Sequence, residues 1–296
     1  MGTFLGATSV TKLSNGAFII AADHEGIFVK RKDEWVKTLD LTKERILDLK
    51  STDQTVYGVG DNGLFIKSTN GGVTWTMKRF HTQCSMWSVC CNDAGLVVTH
   101  SDKSLFLSRN FGESWQRIEP FSFCKYPPAI RSVCLHEDQL FIGTKIHFSN
   151  GGIWRLHLKT GEIRKIRKEK NSMIASMEVN EDTLLAACGS CRGKSGKIIF
   201  CELSQLIGKE IPTWKTCISE KSEACYLDLS WSDNVLYTTS AKNKHGIGTI
   251  SRVFLNEKRV VPFGEVKGHG WRIVNREEEY VVAGLYESYH YKKLLH

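Results

Sequence analysis

The chain is written as short apolar runs closed by glycine-rich or polar turns, and helix-period stretches are nearly absent. Runs such as "AFIIAA", "RILDLKS", "IRSVCLH" and "YLDLSWS" predict strands. Three longer segments align with one another: "AADHEGIFVKRKDEW" (21 to 35), "GVGDNGLFIKSTNGGVTW" (58 to 75) and "THSDKSLFLSRNFGESW" (99 to 115). Each carries an Asp (Asp23, Asp61, Asp102), a turn, an apolar-Phe-apolar strand and then a Trp. A shorter fourth copy is expected in "GTKIHFSNGGIW" (143 to 154), with Ser149, Asn150 and Trp154. Later copies drift, but "LLAACGSCRGKSGKIIFCEL", "LYTTSAKNKHGIGTISRVFL" and "YVVAGLYESYHYKKLL" keep the strand, turn, strand pattern.

A strand also precedes each hairpin ("RILDLKS", "MWSVCCN", "IRSVCLH", "IASMEVN", "YLDLSWS", "WRIVNRE"), so each repeat holds about four strands in roughly 40 to 50 residues. Seven such repeats predict an all-β chain, a seven-bladed β-propeller of four-stranded antiparallel blades. One domain is expected over residues 1–296, with blades near 8–40, 41–80, 81–120, 121–170, 171–220, 221–267 and 268–296 plus 1–7. The last repeat runs out of chain after about three strands, and the N-terminal "TFLGATS" supplies the missing one, closing the ring.

Two octapeptides, "STNGGVTW" (68 to 75) and "SRNFGESW" (108 to 115), fall between the third and fourth strands of their repeats. Asn70 and Asn110 suit a tight turn bonded to its own backbone. Gly72 and Gly112 supply positive φ, Ser68 and Ser108 add a local bond, and Trp75 and Trp115 pack between strands. These residues resemble the Asp-box, or bacterial neuraminidase repeat, of sialidase-like propellers, with Asn where that motif has Asp. The resemblance implies a propeller, and a motif that folds the blade away from any catalytic centre. Sialidases also carry an Arg-Ile-Pro segment, which this chain lacks; "RIEP" (117 to 120) is a strand end. In outline the chain also resembles the stand-alone Ycf48-like propellers.

Composition is that of an ordinary globular protein, with 41% apolar and 24% charged residues over 296 positions. With neither a secretory pattern at the N-terminus nor an apolar run long enough to span a bilayer, a cytoplasmic protein without membrane partners is expected. The ten cysteines then read as reduced thiols. Cys188 and Cys191 form "CGSC" in a fifth-blade turn, and Cys225 opens a neighbouring first strand. Together they could hold zinc or another transition metal, or work as a redox dithiol, although one Cys-x-x-Cys pair falls short of a zinc module and inert packing is the leading reading. No cofactor is expected. "GSCRGKSGK" (189 to 197) lacks the spacing of a nucleotide-binding loop.

Net charge is +8, and residues 155 to 197 hold ten Lys/Arg against five Asp/Glu. Arg164, Lys165, Arg167 and Lys168 in blade 4, Arg192, Lys194 and Lys197 in blade 5, and Lys242 and Lys244 in blade 6 are expected to meet on one face. Such a sector could take an acidic protein, nucleic acid or another anion, or could be a solvated edge in which Lys resists aggregation. In the first-strand register Asp48, Ser88, Ser132, Ser176, Asp228 and Arg272 occupy equivalent positions around the channel. The function expected is a non-catalytic binding scaffold for another protein, using the face with the blade 4 to 6 turns. The alternatives are a metal- or thiol-dependent protein with a Cys/His site at the channel mouth, and a sialidase-like glycan-binding or glycoside-hydrolysing protein.

Overall fold

The computed structural model describes residues 2–4, 6–32, 34–190, 196–208, 211–219, 225–232, 234–276, 279–284 and 288–291. Strand β1 (Gly2–Phe4) is followed by β2 (Ala7–Lys12), β3 (Phe18–Ala22), β4 (Gly26–Arg31) and β5 (Glu34–Asp40). Next come β6 (Ile46–Thr52), β7 (Thr55–Gly60), β8 (Leu64–Ser68) and β9 (Thr76–Arg79), then β10 (Val89–Cys91), β11 (Val97–Ser101), β12 (Ser104–Ser108) and β13 (Gln116–Ile118). The middle of the chain gives β14 (Ile130–His136), β15 (Gln139–Thr144), β16 (Gly152–His157) and β17 (Ile163–Lys168), and then β18 (Met173–Asn180), β19 (Thr183–Gly189), β20 (Lys197–Glu202) and β21 (Lys215–Ser219). The last strands are β22 (Tyr226–Ser232), β23 (Val235–Ser240), β24 (Ile247–Phe254), β25 (Arg259–Lys267), β26 (Gly270–Arg276), β27 (Glu279–Gly284) and β28 (Ser288–Tyr291).

Strands β2 to β5, β6 to β9, β10 to β13 and β14 to β17 each form a four-stranded antiparallel meander. Strands β18 to β21 and β22 to β25 are two further meanders, joined into one eight-stranded sheet by a short parallel pairing of β21 with β25. The final sheet has the order β1-β28-β27-β26, and β1 runs antiparallel to β28 with Thr3 opposite Tyr289.

Burial follows position within each meander. Second strands such as β3 and β11 are buried along their whole length, while the fourth strand β9 is exposed throughout. A strand covered on both faces can be apolar at every position, which is why "FIIAA" lacks the alternation of a half-buried strand. The β6–β7, β14–β15 and β18–β19 turns are two residues long and use Asp53, Glu137 and Glu181 at φ 41°, 50° and 47°. Asp is among the non-glycine residues that tolerate that region best, and the polar Glu side chains keep the other two turns outside the core.

By Cα proximity the chain divides into two compact units, Met1–Glu119 with Trp271–His296, and Pro120–Gly270. In the first unit consecutive sheets pack face to face. Ile19, Ile27 and Val29 meet Leu49, Leu64 and Ile66, and Tyr57 and Phe65 meet Met86, Val97 and Phe106. Ala7, Val10, Phe18 and Ile20 close on Val281 and Ala283. In the second unit Phe141, Ile153 and Ile166 pack on Ile174, Leu184 and Ile199, while Leu185 and Phe200 pack on Tyr226, Leu229 and Leu236.

A short helix, α1 (Leu203–Ile207), follows β20 and buries Leu203 and Leu206. Five residues are too few to show a helical period, so the sequence pattern does not reveal it. Among the described residues no helix is long and apolar enough to cross a membrane.

Candidate functional site

The two octapeptides form matching turns in the first unit. Ser68 Oγ donates to Asn70 Oδ1 at 3.0 Å and accepts the Gly72 N–H at 2.9 Å, and Asn70 Oδ1 accepts the Thr74 N–H at 3.0 Å. Asn70 Nδ2 donates to Thr74 Oγ1, and Trp75 Nε1 donates to Gly72 O at 3.1 Å. The second copy repeats every bond through Ser108, Asn110, Gly112, Ser114 and Trp115. An amide serves as well as a carboxylate here because its oxygen takes the backbone N–H while its NH₂ reaches the hydroxyl.

Each turn also grips the preceding sheet. A Cβ on Gly72, at φ +80°, would lie 2.9 Å from Ile19 and Val29, and Trp115 meets the Phe65 ring edge-on at 5.0 Å. Beside Trp75 a cleft of about 210 Å³ is lined by Lys67, Lys78 and Glu113. Its one carboxylate is engaged by Lys67 at 2.6 Å and Lys78 at 3.4 Å.

The fourth copy does not form such a turn. Ser149 to Gly151 lie between β15 and β16, one connection earlier than in the true copies, and Trp154 sits inside β16. The third-to-fourth turn of that meander is Leu158 to Glu162, where His157 Nδ1 accepts the N–H groups of Lys159 and Thr160. The letters match because both places need close backbone approach. A Cβ on Gly152, at φ +130°, would collide with the Arg167 carbonyl.

The basic residues of the second unit are less available than their number suggests. Ile163–Lys168 is the outer strand β17 rather than a turn. Arg164 donates to Leu206 O at the end of α1, where Arg155 also reaches Ile207 O at 3.0 Å, so both cations serve the exposed carbonyls of a helix C-terminus. Lys165 Nζ donates to Ser149 O at 3.0 Å and Asn150 Oδ1 at 3.2 Å, and sits 4.7 Å from the centre of the Trp154 ring. Burial there, with Lys168 nearby, pushes its ammonium below the usual lysine range. Arg167 and Lys197 both bind the buried Glu169 at 2.9 Å. Lys168, Lys242 and Lys244 are exposed, and the Lys242 N–H donates to His269 Nδ1 at 3.2 Å. Arg192, Lys194 and Cys191 lie outside the described residues.

Cys188 is fully buried in β19, and Cys225 is bridged through its backbone to Gly189 with its sulfur packed against that glycine. Burial raises the Cys188 thiol far above its ordinary value, with Glu169 adding to the effect. Desolvation thus opposes the thiolate that zinc ligation or redox attack requires. Among the described residues no group of three His, Cys, Asp or Glu side chains gathers closely enough to hold a metal ion, and no described cysteine is in a disulfide.

Two short segments of the second unit, 121 to 128 and 145 to 150, build a feature that local sequence does not announce. Phe123, Tyr126 and Phe148 are 61%, 52% and 65% exposed, and Ile146 is exposed beside them. Tyr126 and Phe148 lie 5.6 Å apart at 57°, Phe148 stacks on His147 at 4.7 Å, and Phe123 leans on Trp154 at 5.9 Å with Phe121 buried beneath. Asn150 Nδ2 donates to Tyr126 O at 2.9 Å, which ties the two segments together, and Lys165 holds the second from below. Lys125 sits over Tyr126 at 5.5 Å, and Lys145 is exposed on the adjoining segment. The result is a fixed aromatic platform, and exposed aromatics grouped in this way mark contact surfaces.

The first-strand register has its own order. Ser9 Oγ accepts the Leu49 N–H, Asp48 Oδ2 accepts the Val89 N–H, and Ser132 Oγ donates to Ile174 O, all at 2.8 to 2.9 Å. These bonds stitch β2 to β6, β6 to β10 and β14 to β18. Asp48 and Arg272, both buried, form an ion pair at 2.8 Å, and Arg272 also donates to Trp87 O and Trp271 O. Asp48 is therefore committed to structure and is not a spare acid.

Over 283 residues the chain is 38% identical to the uncharacterized protein YkuO of Bacillus subtilis strain 168, covering 95% of this chain and 94% of that one. The chain belongs to the YkuO family. No protein-family model matches it. Among solved structures, this YkuO-family chain is similar to YCF48 from Cyanidioschyzon merolae (TM-score 0.70, 12% identity, 98% of this chain and 97% of that one) and to YCF48 bound to D1 peptide (0.67, 12%, 99% and 95%). It is also similar to the GH74 xyloglucanase of Xanthomonas campestris (0.74, 10%, 95% and 51%). At these identities the likeness shows the fold, a β-propeller resembling the Ycf48-like proteins.

Proposed function

We propose that this YkuO-family chain is a non-catalytic binding scaffold, a single seven-bladed propeller closed by its N-terminal strand, that takes a protein partner on the face with the blade 4 to 6 turns. The exposed Phe123, Tyr126 and Phe148 platform carries this reading. Seven sets of four strands, with β1 completing the set of β26 to β28, support the blade count. Rigid aromatic anchors in a fixed frame are what protein interfaces use as hot spots, because little side-chain entropy remains to be lost on binding. The exposed Lys168, Lys242 and Lys244 add positive charge in the same unit, and Arg192 and Lys194, expected on that face from the sequence, lie outside the described residues. A structural neighbour was solved with a peptide bound, which fits the same use of the fold.

The test is quantitative affinity capture from cytoplasmic extract with the wild type and a Phe123→Ala/Tyr126→Ala/Phe148→Ala variant, matched by melting temperature. The expected result is a saturable partner retained by the wild type and reduced at least about tenfold by the variant, since a hot-spot truncation costs about 2 kcal/mol or more. Equal recovery by both proteins would remove the platform as the site.

A further inference from the structure

Building on the scaffold reading above, we infer that the platform recognises an acidic peptide segment carrying a bulky apolar residue. The chemistry of the rim gives the sign. Neither "PFSFCKYPPA" (120 to 129) nor "TKIHFSNG" (144 to 151) contains an Asp or Glu, whereas Lys125 and Lys145 stand exposed on them. Several other cations of this unit are matched internally, with Arg167 and Lys197 on Glu169 and Lys159 on Asp138 at 2.5 Å. At the platform two exposed lysines accompany exposed apolar surface with no acid in the same segments.

The rings set the anchor. Tyr126 and Phe148 are inclined to each other by 57°, and one face of Phe148 is covered by His147. That leaves an angled apolar surface suited to one bulky side chain. Successive nucleic acid bases need aromatic faces offered in series along a track of phosphate-binding cations. Here two lysines flank a single cluster, which suffices for one or two carboxylates. The platform is also set before binding: Asn150 clamps Tyr126 O, and Pro127 and Pro128 restrict the chain beyond it.

The experiment uses the full chain and a phage-displayed library of random dodecapeptides, counter-selected against a Phe123→Ala/Phe148→Ala variant with an unchanged melting temperature. Selected peptides are then synthesised with fluorescein and titrated by fluorescence polarisation at low and high salt. The expected outcome is peptides that combine Asp or Glu with Phe, Leu, Tyr or Trp. Phe148→Ala should weaken them about 10- to 30-fold. Lys125→Glu/Lys145→Glu should weaken them about fivefold or more, and added salt should lower affinity for the wild type but not for the charge-reversed variant.

Selected peptides that are neutral or basic yet still need Phe148 would overturn the acidic partner and leave the scaffold reading standing. Acidic peptides that bind the aromatic variant equally well would overturn the platform as their site. A labelled single-stranded oligouridylate that binds through the same residues more tightly than any peptide would replace the inference with nucleic acid recognition. Failure of the scaffold reading itself would appear separately, as partner capture indifferent to the platform.

Discussion

Replacing Arg272 with methionine would strand the Asp48 carboxylate, 2% exposed, leaving it the Val89 N–H as a donor but no ion-pair partner. The guanidinium also supplies donors to Trp87 O and Trp271 O, so the change leaves acceptors short at three points of the first-strand register. Breaking a buried ion pair from one side costs about 3–5 kcal/mol, because the surviving charge has neither water nor a partner. At about 2 °C per kcal/mol for a chain of this size, melting should fall by roughly 6–10 °C. The double variant Asp48→Asn/Arg272→Met removes both charges at once and should recover most of the loss, since neutral replacements of a buried pair are often tolerated. The assay is thermal and guanidinium unfolding of the wild type, both single variants and the double variant, analysed as a double-mutant cycle. A coupling energy above about 1.5 kcal/mol is expected. A value under about 0.5 kcal/mol, with the double variant as unstable as the sum of the singles, would refute the pair as an energetic link.

Ser68→Ala and Ser108→Ala should each cost about 1–3 kcal/mol, because each hydroxyl accepts the N–H of a buried glycine; unchanged denaturation midpoints would refute this. Burial raises the Asp61 carboxyl, but hydrogen bonds from Arg45 and Ser85 outweigh it and hold its pKa below the usual aspartate value of 3.8. A carboxyl with a depressed folded-state pKa contributes stability above its unfolded value and loses it as pH falls through the folded one. Asp61→Asn should therefore lower stability at neutral pH and flatten the stability curve below about pH 4, read from melting temperatures across an acid series. Brief iodoacetamide treatment at mildly alkaline pH should label the exposed Cys84 first and spare Cys188 and Cys217, whose thiols are raised by burial, Cys217 to about 11. Peptide mass mapping with and without denaturant reads the order, and early labelling of Cys188 would contradict its burial.

What could be read from the residues themselves is what depends on near neighbours in sequence. The run "FIIAA" becomes a strand that is apolar at every position because it is covered along its whole length, and "RILDLKS" is buried over its first half, where Asp48 is tolerated by its ion pair. The bonds of the octapeptide turns span no more than four residues, from Ser68 to Gly72 and from Asn70 to Thr74, so the motif carries its own geometry. The same letters misled at Ser149 to Trp154, because the motif does not say which connection it occupies; only strand pairing places it between β15 and β16.

Everything that concerns partnership was decided by tertiary structure. Arg272 finds Asp48 across 224 residues, which no local pattern encodes. The basic run of β17 looked like a binding surface, yet Glu169 matches Arg167, and Leu206 O and Ser149 O engage Arg164 and Lys165. The platform is the converse case. Phe123 and Tyr126 belong to one connection and Phe148 to another, each reading as an ordinary apolar residue, until folding leaves all three in water with Trp154 and Phe121 filling the core beneath. Local sequence determines which backbone shapes a segment can adopt, whereas charge neutralisation and exposure depend on which distant groups arrive beside it, and only the packed chain settles that.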